Sequence, residues 1–564
     1  VTTVLGPLRR MFRPLGKGML SISACTVLVL SGRPLDATTR PSVPPSTQAL
    51  SNPLRGQYED LLEPLFPQGN PAQHRYPPWP AAHDGSLRVT WRQLEPTDPR
   101  TLPLDAPDGQ KFDFRTIDDA LTKLAARNMR LTLRVVAYSS CCDTVFPDAT
   151  NIEVPDWVRA IPGATTSYRG PSDGPAAGVT QVVPNWNDTN YLDAFGRLVA
   201  ALGRRYDGDE RLSAFEFSGY GDWSENHIAY LRDKLGAPGP QPDDSEAELG
   251  YYSQFADQSI TAASIRYLVA AHVSAFPRTQ LMTAALNPEI VRQLLADDVT
   301  KKLSAPVGIR ADCLGVQAPL PAWAEAEGSY YVESADPIVT ELKRRLVAAP
   351  VITEWCLLPE GVDPRSYYEK GLHDVIKYHV SMTSSCDFAD TQSTTPMDPA
   401  LYLLWAWANA DAGYRYSVEA RPRSLSIQGK TASTSLVWTN SGSAAATEKW
   451  LPRYQLTDAA GAVVKTLPAM VSLKTLVPYD AGQSREQPVP VSVAEPVHID
   501  LVGLTPGHYT LQASVSWQQH KPNASRVVDY PPMELASDGR DGSGRYPIAT
   551  LDIPRNALAA VPQR

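Results

Sequence analysis

The sequence predicts two folds in series: an α/β domain built as a (β/α)8 TIM barrel over residues 54–414, then an all-β sandwich over 415–555. Three observations carry this reading. At 564 residues the chain exceeds what one hydrophobic core supports, which implies two domains. Strand-like and helix-like patterns alternate roughly eight times in the first part, the count of a barrel. From Arg415 the pattern changes to short period-two runs separated by turn residues.

Asn52-Pro53-Leu54-Arg55-Gly56-Gln57-Tyr58 reads as a turn-rich opening segment, and Leu87–Trp91 as a strand. Ile117, Leu121, Leu124 and Ala125 recur at three- and four-residue spacing and predict an amphipathic helix. Arg130–Ala137 is a buried strand, followed by a long loop to Pro184 with a short helix near Val154–Ala160. Asn190–Arg205 carries Leu192, Phe195, Leu198, Val199 and Leu202 on one face and is capped near Asp188. It feeds an apolar strand through Leu212, Ala214, Phe215 and Phe217. Helices are predicted at Ser253–Ala275, Glu289–Leu295, Pro337–Val347, Tyr367–Ile376 and Pro399–Ala410. Strands are predicted at Leu281–Leu286, Val307–Asp312, Pro350–Trp355 and Tyr378–Thr383, with the third strand of the barrel weakly marked. In the sandwich, strands fall at Ser424–Ile427, Ser435–Thr439, Arg453–Leu456, His498–Leu501 and Tyr509–Ala513.

The first 37 residues carry Arg9, Arg10, Arg13 and Lys17 before a short apolar core from Met19 to Leu30, the layout of a secretory signal peptide. The core is too short and polar to span a membrane, so no membrane span is expected, and localisation is secreted or periplasmic/cell envelope. Ile22-Ser23-Ala24-Cys25 also fits a lipoprotein cleavage box, which would make Cys25 a lipid anchor. Residues 38–53 read as a flexible leader. Of the six cysteines, five lie beyond the leader (Cys141, Cys142, Cys313, Cys356 and Cys386) with no C-x-x-C spacing, which argues against a zinc site. Either disulfides or buried thiols fit them. A net charge of −9 gives no reason to expect nucleic acid as a partner.

The chemistry concentrates after the apolar strand that ends at Phe217. Two glycines lead into Asp222-Trp223-Ser224-Glu225-Asn226-His227, a crowd of polar groups that the strand does not need for its own stability. Counting strands places Glu225 after the fourth and Glu354 at the end of the seventh, and barrel chemistry gathers at the C-terminal strand ends. Two carboxylates facing one cleft suit glycosidic cleavage, in which one is protonated and the other ionised. Trp223 and Trp355 flank them and offer an apolar lining and a stacking face. Arg134 lies in a buried strand and requires an anion: an ionised Glu354, or a structural salt bridge. Asp312 at the end of the sixth strand is a substrate ligand or a loop cap. Asp222 and His227 are substrate contacts or loop stabilisers, Asn226 is a substrate contact, and Glu216, inside the strand, is the rival to Glu225. No Gly-x-Ser-x-Gly elbow, P-loop, His-Glu-x-x-His or dinucleotide fingerprint occurs, and no cofactor or metal is expected.

Trp91-Arg92-Gln93-Leu94-Glu95-Pro96 with Phe112-Asp113-Phe114 and Ile117-Asp118 resembles the opening of clan A glycoside hydrolases, including the family 42 β-galactosidase type. Asn52-Pro53-Leu54-Arg55-Gly56, the Gly219–His227 loop and Ile309–Gly315 are more similar to a poorly characterised bacterial group of glycosidase-like barrels with a C-terminal β-sandwich. The resemblance spans residues 52 to 553. It implies a carbohydrate substrate (an oligo- or polysaccharide), a retaining mechanism, Glu225 as acid/base and Glu354 as nucleophile. Clan A members place Asn directly before the acid/base Glu, whereas here Ser224 precedes Glu225 and Asn226 follows it. That altered order sustains a rival expectation, a non-catalytic carbohydrate-binding or scaffold protein on the same barrel.

Overall fold

The computed structural model describes residues 50–61, 84–139, 150–169, 178–227, 260–325, 335–356, 358–384, 397–478, 488–517, 520 and 524–555. The expected signal peptide, most of the leader, and Cys25, Cys141, Cys142 and Cys386 lie outside these residues. Among the described residues no helix is long and apolar enough to cross a membrane.

Eight parallel strands close into a barrel: Gly56–Asp60, Asp84–Thr90, Leu131–Val136, Leu212–Glu216, Gln280–Ala284, Gly308–Leu314, Val351–Trp355 and Met382–Ser384. The weakly marked strand is the first and not the third. It occupies the opening segment, where Gly56 pairs with Met382 and Tyr58 with both Ser384 and Asp84. Its five residues are Gly-Gln-Tyr-Glu-Asp, poor in the β-branched residues that signal strands, so closure of the ring imposes the conformation. Between the third and fourth strands a small sheet of Thr150–Asn151, Thr165–Arg169 and Thr180–Pro184 fills the predicted loop, together with the helix Asp156–Arg159.

Several predicted boundaries shift for visible reasons. The second strand stops at Thr90 because that hydroxyl caps a helix of Trp91–Leu94, with Gln93 returning a bond to the Thr90 backbone. The helix predicted from Ser253 begins at Ala262, where Thr261 accepts from the Ser264 amide; residues 253–259 lie outside the described residues. The strand predicted from Tyr378 starts at Met382, because the preceding helix runs through Lys377 and His379 turns the chain at φ 53°.

The C-terminal domain is a seven-stranded sheet that folds back over one apolar core. A three-stranded half and a four-stranded half meet at one parallel pair, Ser424 with Thr550. Trp438 on one half donates to the Tyr454 hydroxyl on the other at 2.7 Å. Strands Val463–Pro468 and Tyr546–Ile553 are additions to the expected set.

This domain packs against the N-terminal ends of the barrel strands. Arg55, just ahead of the first strand, donates to the Tyr414 carbonyl at 3.0 Å. Arg130, just ahead of the third, pairs with Glu448. Glu210, ahead of the fourth, accepts from the Val528 amide at 2.9 Å. Ser443 donates to the Val380 carbonyl at 2.8 Å, ahead of the eighth. The opposite, C-terminal end is thereby left for chemistry.

Candidate active site

Along each barrel strand alternate side chains face inward. The lower inward layer is apolar, with Leu54, Tyr58, Ala214, Met282, Ile352 and Met382 forming one cluster. One inward step higher the character inverts. Arg88, Arg134, Glu216, Arg310 and Glu354 come from the second, third, fourth, sixth and seventh strands, where barrels ordinarily hold branched aliphatics. Buried ion pairs are poor stabilisers compared with well-packed hydrophobics, so such a layer is a functional signature.

The charges pair in a defined pattern. Arg134 donates from Nε to Glu216 at 2.6 Å and from Nη1 to Glu225 at 2.5 Å. Arg310 donates to Glu354 and to the Tyr58 hydroxyl, the latter at 2.7 Å. Arg88 lies 3.1 Å from Asp60 and 3.9 Å from Glu354. The expectation that Arg134 holds Glu354 is therefore corrected. Arg134 sits on the third strand, directly beside the fourth, and meets Glu225, while Arg310, on the strand beside Glu354, takes the role. Arg310 and Arg88 were missed by sequence reasoning, although each is an arginine at inward parity in a buried strand, the same signal that singled out Arg134.

Glu225 reaches this layer from a sharply folded loop. The Asp222 amide donates to the His227 carbonyl at 2.8 Å, closing the loop on itself. Gly221 has φ 85°, and a Cβ there would lie 2.4 Å from the His227 carbonyl oxygen, so only glycine fits. Trp223, Ser224 and Asn226 also take positive φ (49°, 61° and 66°), and strain of this kind collects at functional sites. Ser224 pins the loop by donating to the Val135 carbonyl at 2.7 Å. The side chain of Asn226 turns to the fifth strand, donating to Thr283 and the Ala284 carbonyl at 3.2 and 3.1 Å, and so anchors the loop. His227 Nε2 lies 3.3 Å from the second oxygen of Glu225. Asp222 is fully buried, and Trp223 is half-buried with its ring 6.4 Å from that of His227.

Trp355 does not face the cleft. As the strand neighbour of inward Glu354 it points outward, packs between Tyr367 and Tyr368, and rests over Gly371 of the helix Pro364–Lys377. It is core, and cannot stack on sugar. Trp91 and Trp405 are likewise fully buried.

The site is completed by Asp312, two residues beyond Arg310 on the same face. Oxygens of Glu225, Asp312 and Glu354 lie within 4.8 Å of one another. Such spacing is short enough to bracket a cation, but Arg134 and Arg310 already stand against the cluster and would repel one. A disulfide from Cys313 to Cys356 ties the sixth strand to the seventh immediately beside Asp312 and Glu354.

Electrostatics separate the carboxyls. Burial, then the Glu225 and Glu354 charges, push Asp312 up to about 7 against the pull of Arg310 and Arg134. Burial would raise Glu225 as well, but the Arg134 guanidinium and the His227 hydrogen bond outweigh it and hold Glu225 down at about 2. The His227 imidazole is moved the other way: burial opposes its charge, and Glu225 overrides burial to raise it. The arrangement thus places one carboxyl poised near neutrality beside one held ionised.

No family model and no curated protein matches the chain. Among solved structures, the catalytic domain of β-amylase from Paenibacillus polymyxa is 12% identical over 58% of this chain and 91% of that one, with a TM-score of 0.34. An Anoxybacillus α-amylase is 8% identical over 74% and 86%, TM-score 0.27. The α-amylase of Geobacillus thermoleovorans is 8% identical over 73% and 87%, TM-score 0.26. Likenesses this distant leave the site to be read from its own residues.

Proposed function

We propose that the protein is an exported glycoside hydrolase that acts on an oligo- or polysaccharide by a retaining mechanism, with Glu354 as nucleophile. The observation that carries the reading is the approach of the Glu225 and Glu354 oxygens to within 4.8 Å at the C-terminal end of the barrel. Retaining enzymes hold their two carboxyls about 5–5.5 Å apart, and inverting ones about 6.5–9.5 Å apart to admit a water. Arg310 pairs with Glu354 and Arg88 lies 3.9 Å from it, which fixes the carboxyl in place for attack on an anomeric carbon. Sequence position makes Glu225 one candidate for the acid/base, and Asp312, in the same cluster, is the other. No cofactor takes part. The Cys313–Cys356 bond supports residence in an oxidising compartment.

The test is turnover of a panel of 4-nitrophenyl glycosides and plant and microbial polysaccharides, with product configuration followed by NMR. At least one substrate is expected to be cleaved with retention. Glu354→Gln should reduce the rate on the order of 10⁴-fold or more while sugar binding persists. Binding without turnover anywhere in the panel, or a Glu354→Gln protein as active as its parent, would sink the hydrolase in favour of a carbohydrate-binding barrel.

A further inference from the structure

Two carboxyls, not one, bring an oxygen within 4.8 Å of a Glu354 oxygen, and hydrogen bonding distinguishes them. Both oxygens of Glu225 are engaged, one by Arg134 at 2.5 Å and the other by His227 at 3.3 Å. The Arg134 guanidinium and the His227 hydrogen bond favour the ionised form. Asp312 is the reverse case. Both its oxygens are buried and accept no hydrogen bond among the described residues. The nearest cations, Arg310 and Arg134, stay at 3.5 and 3.7 Å. A buried carboxylate without hydrogen bonds is costly, whereas a carboxylic acid there needs far less. The side chains of Glu225, Asp312 and Glu354 are 7%, 8% and 9% exposed, so whatever admits a substrate to Glu354 admits it equally to Asp312.

We propose that Asp312, rather than Glu225, is the general acid/base of the reaction, an assignment that rests on the hydrolase reading above. In the first step the Asp312 O–H bond breaks as its proton moves to the glycosidic oxygen. The bond from that oxygen to the anomeric carbon breaks, and a Glu354 oxygen bonds to the carbon, so an alcohol leaves. In the second step the Asp312 carboxylate takes a proton from water as the water oxygen displaces Glu354, which restores both groups. Glu225 remains ionised throughout, and with His227 it forms a polar wall for sugar hydroxyls. The groups facing Asp312 are Arg134 from the third strand, Glu225 and His227 from the fourth-strand loop, Glu354 from the seventh strand, and Arg310 on its own strand. Burial and the two carboxylates raise its pKa toward neutrality, in agreement with the geometry. The Cys313–Cys356 bond gives the acid and the nucleophile a common anchor.

The experiment has two arms on the full chain. Infrared difference spectra across a titration from about pH 5 to pH 9 should show protonated carboxyl bands lost across neutrality, with an Asp312 component beside those of buried Asp84 and Glu95. Asp312→Asn should remove one of these bands and Glu225→Gln should keep it. On glycosides of the sugar that the parent cleaves best, Asp312→Ala should lose about 10²–10⁴-fold with an alkyl leaving group. It should lose far less with a 2,4-dinitrophenyl leaving group, which needs no protonation, and azide should restore turnover by replacing the base-assisted water. If Glu225→Gln instead removes the band and shows the leaving-group dependence, Glu225 is the acid and the proposal is overturned. If no variant removes a band, Asp312 is ionised at rest and the proposal equally fails. An Asp312 band with no turnover of any glycoside overturns the hydrolase reading, and the acid role with it.

Discussion

Each domain of this protein buries a carboxylate, and the two are treated in opposite ways. In the sandwich, Glu495 is buried against Tyr454, whose hydroxyl donates to it at 2.8 Å, and it accepts the Met470 and Val471 amides at 2.6 and 3.3 Å. Its hydrogen-bonding capacity is spent on holding a strand to a neighbouring loop. In the barrel, Asp312 is similarly enclosed and accepts no hydrogen bond among the described residues, while its neighbours are clamped by guanidinium groups. A satisfied buried carboxylate organises structure, whereas an unsatisfied one among paired charges stores chemical potential. The same contrast appears between the layers of the barrel, since the apolar cluster below closes the core and the ionic layer above contributes little to stability.

The comparison can be broken most forcefully at Arg134. Arg134→Met leaves Glu216 and Glu225 as buried charges without their main partner, so urea unfolding should show a loss of about 3–5 kcal/mol. A loss no greater than that of a sandwich variant would mean that the ionic layer is not mutually dependent. Glu495→Gln is the milder counterpart. It should cost roughly 1–3 kcal/mol through weakened bonds to Tyr454 and the two amides, and leave turnover unchanged. A drop in turnover at equal folded fraction would show that the two carboxylates are not separable in role.

A further expected effect is in pH dependence. Burial is the leading cause that raises Asp84 to about 7, Glu95 to about 8 and Asp312 to about 7. Between about pH 4 and these values the folded chain holds protons that the unfolded chain has released, so stability should fall as pH rises through that window. Glu225, held down at about 2 from an ordinary 4.5, acts in the other direction; its contribution is complete above 4.5 and is lost as pH falls toward 2. Urea midpoints measured from about pH 4 to pH 8 should therefore decline, and Asp312→Asn should flatten part of the decline. A parallel slope in the Asp312 variant would show that this carboxyl does not carry the proton.

Much of this was legible in the sequence because it depends on local pattern. Alternation of apolar runs gave the barrel and then the sandwich, since the periods of strand and helix are written in which residues can be buried. Strand count gave the heights of Glu225 and Glu354, and a charged residue inside a buried strand drew attention to Arg134. Other features depend on closure of the ring. The first strand has little strand character and exists because the eighth and second strands offer it partners on both edges. That Trp355 faces a helix while Glu354 faces the cleft follows from strand parity, which was available but not applied. The choice of Arg310 over Arg134 for Glu354, the bond between Cys313 and Cys356, and the isolation of Asp312 among three paired neighbours join residues from different strands. A chain pattern records which groups are buried; only the assembled barrel decides which of them share a hydrogen bond, and that sharing sets where the proton resides.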